Sequence, residues 1–389
     1  MNVSARGILK DSFLRIFSIS MLVFAMGCPG ENGPLPTGDV GDSRIIDSRL
    51  VFSDGPGFEG GPGFEGGPTL DTFSPPHDGP PPTTCTAMTS DGIHLNLGCD
   101  PTVQTNGITA ADAITVNGKT SWILTSGTRW WSYDVSAMGN QGAFVNGGKN
   151  FAVFLRTLSP DCTAKTQDGI AMNPGCDPNV QVNGISALAS VSTSITSAKW
   201  LVIAGKKWWL YDSKAGTSGA FSGGVKDIAS SFRLLSPDCT VMKGGVPLNP
   251  GCDPDVKAKG ITSIDISISQ GKTSWWLMTG KKWWSFDQSA NNGKGAFVDG
   301  GQDVSTSLRM LNPTSCAAVG NGLHQNPGCE ADVQVNGLDT AGHTETNSGG
   351  YWLVTSGKKW WIFDASTGVG SFATWGNDVA TYFRTLNPH

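Results

Sequence analysis

From residue 261 to residue 311 the alternation of apolar and polar positions changes period several times. Ile264, Ile266 and Ile268 alternate with polar residues, the two-residue period of a strand with one covered face. Trp275-Trp276-Leu277-Met278 is a continuous apolar run, which reads as a strand buried on both faces. Thr279-Gly280-Lys281-Lys282 then supplies a tight turn whose glycine tolerates positive φ. The return strand is Trp283-Trp284-Ser285-Phe286-Asp287. Successive side chains point to opposite faces, so Trp284 and Phe286 share one face and Trp283 takes the other, and this strand too needs cover on both sides. Gly295-Ala296-Phe297-Val298 offers a fourth, outer strand, and Asp303 stands where it caps a short helix whose Val304, Leu308 and Leu311 form one stripe.

The same succession occurs four times, in units of about 76 residues covering 85–161, 162–238, 239–315 and 316–389. Each opens on a Cys and a polar stretch, passes through Asn-(Leu/Pro)-Gly-Cys-(Asp/Glu), then the alternating and Trp-rich strands and a Gly-rich loop, and closes on Arg-x-Leu-x-Pro. A two-layer sandwich would leave one face of each Trp strand wet, whereas sheets stacked radially bury both. The pattern therefore predicts an all-β fold, a four-bladed β-propeller of four repeats, each with a Cys-bearing insertion.

An alternating strand, an aromatic strand, a Gly turn, a basic-aromatic-Trp strand ending in Asp and a short Leu-x-Pro helix recur at Lys119–Asp134, Ala198–Asp212, Lys272–Asp287 and Gly349–Asp364 with their flanks. This resembles the hemopexin-like repeat, over about the last 50 residues of each unit. The resemblance implies a four-bladed disc whose central channel holds ions. The family's Asp-Ala motif stands at Asp112-Ala113, with Asp265 at the same place in the third unit and Ala189 and Gly342 in the others. Asp112 and Asp265 are thus candidate ligands for a channel cation. The Cys-bearing stretch of about 24 residues has no counterpart in the family. Heme is not expected, because His77, His343 and His389 match no systematic ligand position. His94 and His324 share a repeat position in the first and last units and form a weaker candidate pair for a metal.

Eight of the nine cysteines fall into the pairs Cys85/Cys99, Cys162/Cys176, Cys239/Cys252 and Cys316/Cys329, too widely spaced for a zinc site. Disulfides within each unit are expected, with links between neighbouring units as the alternative that also satisfies the repeat. The odd cysteine is Cys28. It follows basic residues up to Arg15 and an apolar run, Ile16 to Met26, of signal-peptide rather than membrane-spanning length. Ala25-Met26-Gly27-Cys28 resembles a bacterial lipoprotein cleavage box, so 1–28 reads as a lipoprotein-type signal, Cys28 as the lipidation site, and the membrane as a partner through that anchor. Residues 29–84 hold 12 Gly and 11 Pro and have net charge −7, a disordered acidic linker with a reach of roughly 40 Å. The expected address is the bacterial cell envelope, at the outer membrane or cell surface.

The four units carry 22 basic and 22 acidic side chains. That balance excludes a dedicated nucleic-acid binder. Within it, Arg129, Lys206, Lys207, Lys281, Lys282, Lys358 and Lys359 recur at the hairpin turns, which symmetry puts on one face, while Asp134, Asp212, Asp287 and Asp364 end the same strands at the opposite face. The cationic face is a candidate site for an anionic glycan or a surface protein, and the same lysines also serve solubility and edge protection. Arg156, Arg233, Arg309 and Arg384 recur before the last Leu of each unit, where a repeated ion pair with a capping acid is expected. The 14 Trp should mostly be core between sheets. No Gly-x-Ser-x-Gly, His-Glu-x-x-His or phosphate-loop pattern occurs. The chain therefore reads as a non-catalytic surface lipoprotein with a binding or adhesion head. A structural envelope or coat component is the alternative, and an enzyme with a site built from loops is the third.

Overall fold

The structure is a computed structural model, and it describes residues 85–386 apart from 90–91, 117–118, 141, 192–198, 216–218, 270–271, 312–315, 347–348 and 366–369. The expected signal 1–28 with Cys28 and the linker 29–84 lie outside the described residues.

Each unit forms one four-stranded antiparallel sheet with its strands in sequence order. In the third unit the strands are Ser263–Ser269, Lys272–Thr279, Lys282–Asp287 and Ala296–Asp303, followed by the helix Val304–Leu311. The period changes in the sequence thus fall at the element ends. Gly280 has φ +51, the value the tight hairpin requires. Lys282 is already the first residue of the third strand rather than part of the turn, as are Arg129, Lys207 and Lys359 in their units.

The first strands of the four sheets, Ala110–Val116, Ala187–Ser190, Ser263–Ser269 and Thr340–Thr346, touch one another in cyclic order, the first against the second and fourth, the third likewise. The Thr340 hydroxyl takes a hydrogen bond from the Ala111 amide at 3.1 Å and the Ser263 hydroxyl one from the Ala341 amide at 3.0 Å, tying unit four to its neighbours on both sides.

A second cyclic contact runs through the Cys-bearing segments. After the second Cys of each unit comes a short helix: Pro101–Asn106, Pro178–Asn183, Pro254–Lys259 and Ala331–Asn336. Just before it, the terminal helix of the preceding unit docks. Asn173, Asn249 and Asn326 donate to Leu155 O, Phe232 O and Leu308 O at 2.8–3.0 Å, and Asn96 of unit one reaches Phe383 O of unit four at 3.0 Å. A glycine two residues on allows this approach: a Cβ on Gly251 would lie 2.2 Å from Ala229 O. The four disulfides Cys85–Cys99, Cys162–Cys176, Cys239–Cys252 and Cys316–Cys329 close these segments within each unit, as expected.

The core sits between neighbouring sheets and is built on tryptophan. Trp130, Trp131, Trp200, Trp209, Trp283, Trp284 and Trp361 are all fully buried. The second Trp of each double Trp donates its indole N–H to the Cys-bearing segment of its own unit: Trp131 to His94 O, Trp209 to Ala171 O, Trp284 to Pro247 O and Trp361 to His324 O. Insertion and sheet are thereby one packing unit.

The repeated arginines depart from expectation. Arg156 donates to Gly175 O at 2.7 Å, while Arg233, Arg309 and Arg384 bond Ser230, Thr306 and Thr381 one turn back. Among the described residues none of the four forms an ion pair. The helix start is Asn150 in unit one and an acid in the others, occupied by the helix's own amides as Asp227 is by Ala229 N, and the stems of Arg156, Arg233 and Arg384 pack over the docking glycines.

Candidate functional site: the hairpin tips and a buried acid cluster

The expected cationic face divides into two classes of residue. In each unit the cation that opens the third strand meets the acid that precedes the short helix: Arg129 with Asp100, Lys207 with Asp177 at 2.6 Å, Lys282 with Asp253 at 2.8 Å and Lys359 with Glu330 at 2.7 Å. All four acids are buried. Three of them divide their oxygens between two tasks. Oδ1 of Asp100, Asp177 and Asp253 accepts from the second amide of the helix, capping it, and Oδ2 takes the cation. Glu330 instead accepts from the His324 amide. Asp255 and Asp332 add second carboxylates at 2.7 Å to Lys282 and Lys359. Burial alone would push the Lys282 ammonium down; the hydrogen bonds and charges of Asp253 and Asp255 more than offset it and hold the pKa above the ordinary lysine value. Lys359 is raised in the same way by Asp332 and Glu330.

The cation inside the turn is different. Lys206, Lys281 and Lys358 are exposed, and Thr128 stands at the equivalent place in unit one. Lys281 lies 3.5 Å from Asp303, an exposed and weak pair. A strand residue is held against the capped helix, whereas a turn residue projects past it, and that backbone difference separates bracing cations from available ones. The strand-end acids are used locally: Asp134, Asp212 and Asp287 accept from residues two further on, as turn formers.

The helix end of each unit also meets the turn of the unit before it. Gly184, Gly260 and Gly337 pack on Gly127 O, Gly205 O and Gly280 O, and Gly107 packs on Gly357 O. Hairpin tips and short helices therefore alternate around one continuous surface.

The second constellation lies on the first strands. Asp112 and Asp265 are buried and within electrostatic reach of each other. His343 Nδ1 is 2.5 Å from Asp265 Oδ1, Trp352 Nε1 donates to Asp265 Oδ2 at 3.0 Å, and the His343 and Trp352 rings stack at 5.5 Å. Asp112 Oδ2 is buried without a hydrogen-bond partner. Burial, and then the Asp265 charge, push the Asp112 carboxyl well above the usual range, against the opposing pull of His343 and of the Ser190 and Ala113 backbone. What Asp112 offers a cation is a single unpartnered carboxylate oxygen. His94 and His324 make local contacts: the His324 ring bonds Cys316 O at 2.9 Å, and the carbonyls of both take the Trp indoles. Among the described residues no three His, Cys, Asp or Glu side chains are grouped to hold a metal ion.

The sequence alone did not disclose the capped helix after the second Cys, nor that its acid anchors one cation of each tip. The signal was present in Asp100-Pro101, Asp177-Pro178 and Asp253-Pro254, an N-cap acid followed by the proline that suits a first helical turn.

No family model matches the chain, and no curated protein matches it. Solved structures similar to it include a hemopexin-fold protein from cow pea, at 12% identity and TM-score 0.44, covering 72% of this chain and 96% of that one. A plant lectin with two metal-binding sites from Cicer arietinum is similar at 13% identity and TM-score 0.44, with coverage of 72% and 96%. A seed albumin from Lathyrus sativus is similar at 11% identity and TM-score 0.44, with coverage of 72% and 98%.

Proposed function

We propose that the four units close into a four-bladed, hemopexin-like β-propeller, carried on a lipidated Cys28 and the linker 29–84 at the cell envelope, and that this head is a non-catalytic module binding anionic glycan through its hairpin-tip face. The cyclic contacts of the first strands and of the terminal helices, with Phe383 of unit four against Phe144 of unit one at 5.7 Å, support the closed ring. The apolar run before Cys28 and the Gly- and Pro-rich composition after it support the anchor and tether.

One observation carries the binding reading. Each tip spends one cation on bracing a buried acid, and three of the four tips keep a second cation exposed beside it. Bracing explains Lys207, Lys282 and Lys359 completely and leaves Lys206, Lys281 and Lys358 without a structural task of similar weight. Exposed cations on a rigid, overall neutral disc concentrate a polyanion without the indiscriminate attraction of high net charge.

The test is retention of the full-length protein on immobilised polygalacturonate against neutral galactan, at low and high salt. Expected is salt-sensitive retention on the acidic matrix that is lost when Lys206, Lys281 and Lys358 are all changed to Ser. Equal retention of the triple variant would remove the tip face as the binding surface.

A further inference from the structure

The fourfold equivalence of the tips breaks in one quarter, and several departures coincide there. A cleft of about 480 Å³ opens between the turn of unit three and the helix Ala331–Asn336 of unit four, with Lys259, Thr279, Lys281, Asp303 and Asn336 among its walls, together with Asp255, whose charge Lys282 answers at 2.7 Å. Lys259 ends the short helix of unit three, where the other units have Asn106, Asn183 and Asn336. Lys257 on the same helix is also exposed, and the Gly260 contact brings this helix end onto the second tip, where Lys206 stands. Exposed lysines thus follow one another from the second tip across the helix to the third. The fourth tip lacks that run of lysines and adds an acid: Asp339 accepts from the Gly357 amide, whereas Asp332 on Lys359 is matched by Asp255 on Lys282 in the third.

Thr279 supplies an independent sign of a ligand. Its equivalents in units one and four are satisfied, Ser126 by Gly107 O at 2.7 Å and Ser356 by Gly337 O at 3.2 Å, and unit two has Ala204. Thr279 lines the cleft, is 2% exposed, and its hydroxyl has no hydrogen-bond partner. A native fold seldom leaves such a group unmatched.

We propose, resting on the glycan-binding reading above, that this cleft seats one carboxylate-bearing sugar unit of an acidic polysaccharide, and that Lys257 and Lys206 receive the charges of the units that follow. The volume is that of a small-molecule site. Lys259 and Lys281 supply cations for the carboxylate, the Thr279 hydroxyl and the Asn336 amide supply neutral polar contacts, and Asp303 accepts from sugar hydroxyls. The mixture of donors and acceptors suits a uronate, whose ring hydroxyls donate to Asp303 while its carboxylate meets the lysines.

Calorimetric titration of the full-length protein with trigalacturonic acid, and with neutral galactotriose as control, tests this. Lys259→Ser with Lys281→Ser should weaken trigalacturonate binding at least tenfold, and Thr279→Val about threefold to tenfold at an unchanged melting temperature, while Lys294→Ser, exposed at the far end of the same sheet, stays within about twofold. Full affinity in the cleft double variant, or in Thr279→Val, overturns the cleft and leaves the face-binding reading standing. So does failure of wild type to bind the trimer while it still binds long polygalacturonate. Failure to bind either overturns the reading on which the cleft rests.

Discussion

At the scale of single residues, charge is buried here in two ways that have opposite consequences. Asp253 is buried but fully engaged, one oxygen on the helix amide and one on Lys282. Removing the cation strands a buried carboxylate, so Lys282→Met should lower stability by about 2 kcal/mol, while Lys281→Met, next to it in the turn, should change it by less than about 0.5 kcal/mol. Denaturant midpoints of the two variants check this. Asp112 is buried with one oxygen unmatched, and its carboxyl titrates well above its ordinary 3.8, chiefly through burial. The native state therefore holds a proton that the unfolded chain has already released. The stabilisation is fully present below pH 3.8 and is lost as pH rises through the native value. Asp112→Asn should abolish that loss, melting higher than wild type at pH 8 and close to it at pH 3.5. A variant that melts lower than wild type at pH 8 only when divalent ions are present would instead establish a bound cation at Asp112.

At the scale of elements, strands were more legible than helices. The two-residue alternation of Ile264 and Ile266 and the all-apolar Trp275–Met278 run mark strands whatever surrounds them, because pleating fixes which face each side chain meets. The six-residue helix Pro254–Lys259 buries only Val256 and has no periodicity to display; its evidence lies in its caps. For the same reason the turn was read one residue too long at each end, since Thr279 closes one strand and Lys282 opens the next. Lys281 and Lys282 are alike in sequence, and only pairing of Lys282 with Asp303 across the sheet makes one a turn residue and the other a strand residue. The docking of each terminal helix was invisible, since the glycine that permits it, as in Asn249-Pro250-Gly251, resembles an ordinary turn glycine. Gly251→Ala places a methyl against Ala229 O and should cost about 1–3 kcal/mol, read as a lower melting temperature, although Gly251 touches no candidate site residue.

At the scale of the whole molecule, the repeats share their stabilising contacts rather than owning them. Sheets, terminal helices and turn glycines each pass one contact to the next unit, and the fourth passes the same contacts to the first. That cyclic sharing keeps the tips in fixed relation, so a cation released from bracing in one unit stands at a defined place relative to those of its neighbours. The number of units was evident from the chain alone, and of the two disulfide patterns it allowed the structure has the one within each unit. The division of the seven tip cations into four bracing and three available ones was not, because it depends on the buried acids of a segment whose helix the pattern concealed. Acylation of the lysines of the full-length protein at neutral pH, followed residue by residue by mass spectrometry with and without polygalacturonate, measures that division directly. Lys206, Lys281 and Lys358 should react at least about tenfold faster than Lys207, Lys282 and Lys359, and the polyanion should protect Lys206, Lys259 and Lys281 most. Equal rates within each tip, or protection spread evenly over every lysine, would contradict both the bracing of the strand cations and the binding face built on what they leave free.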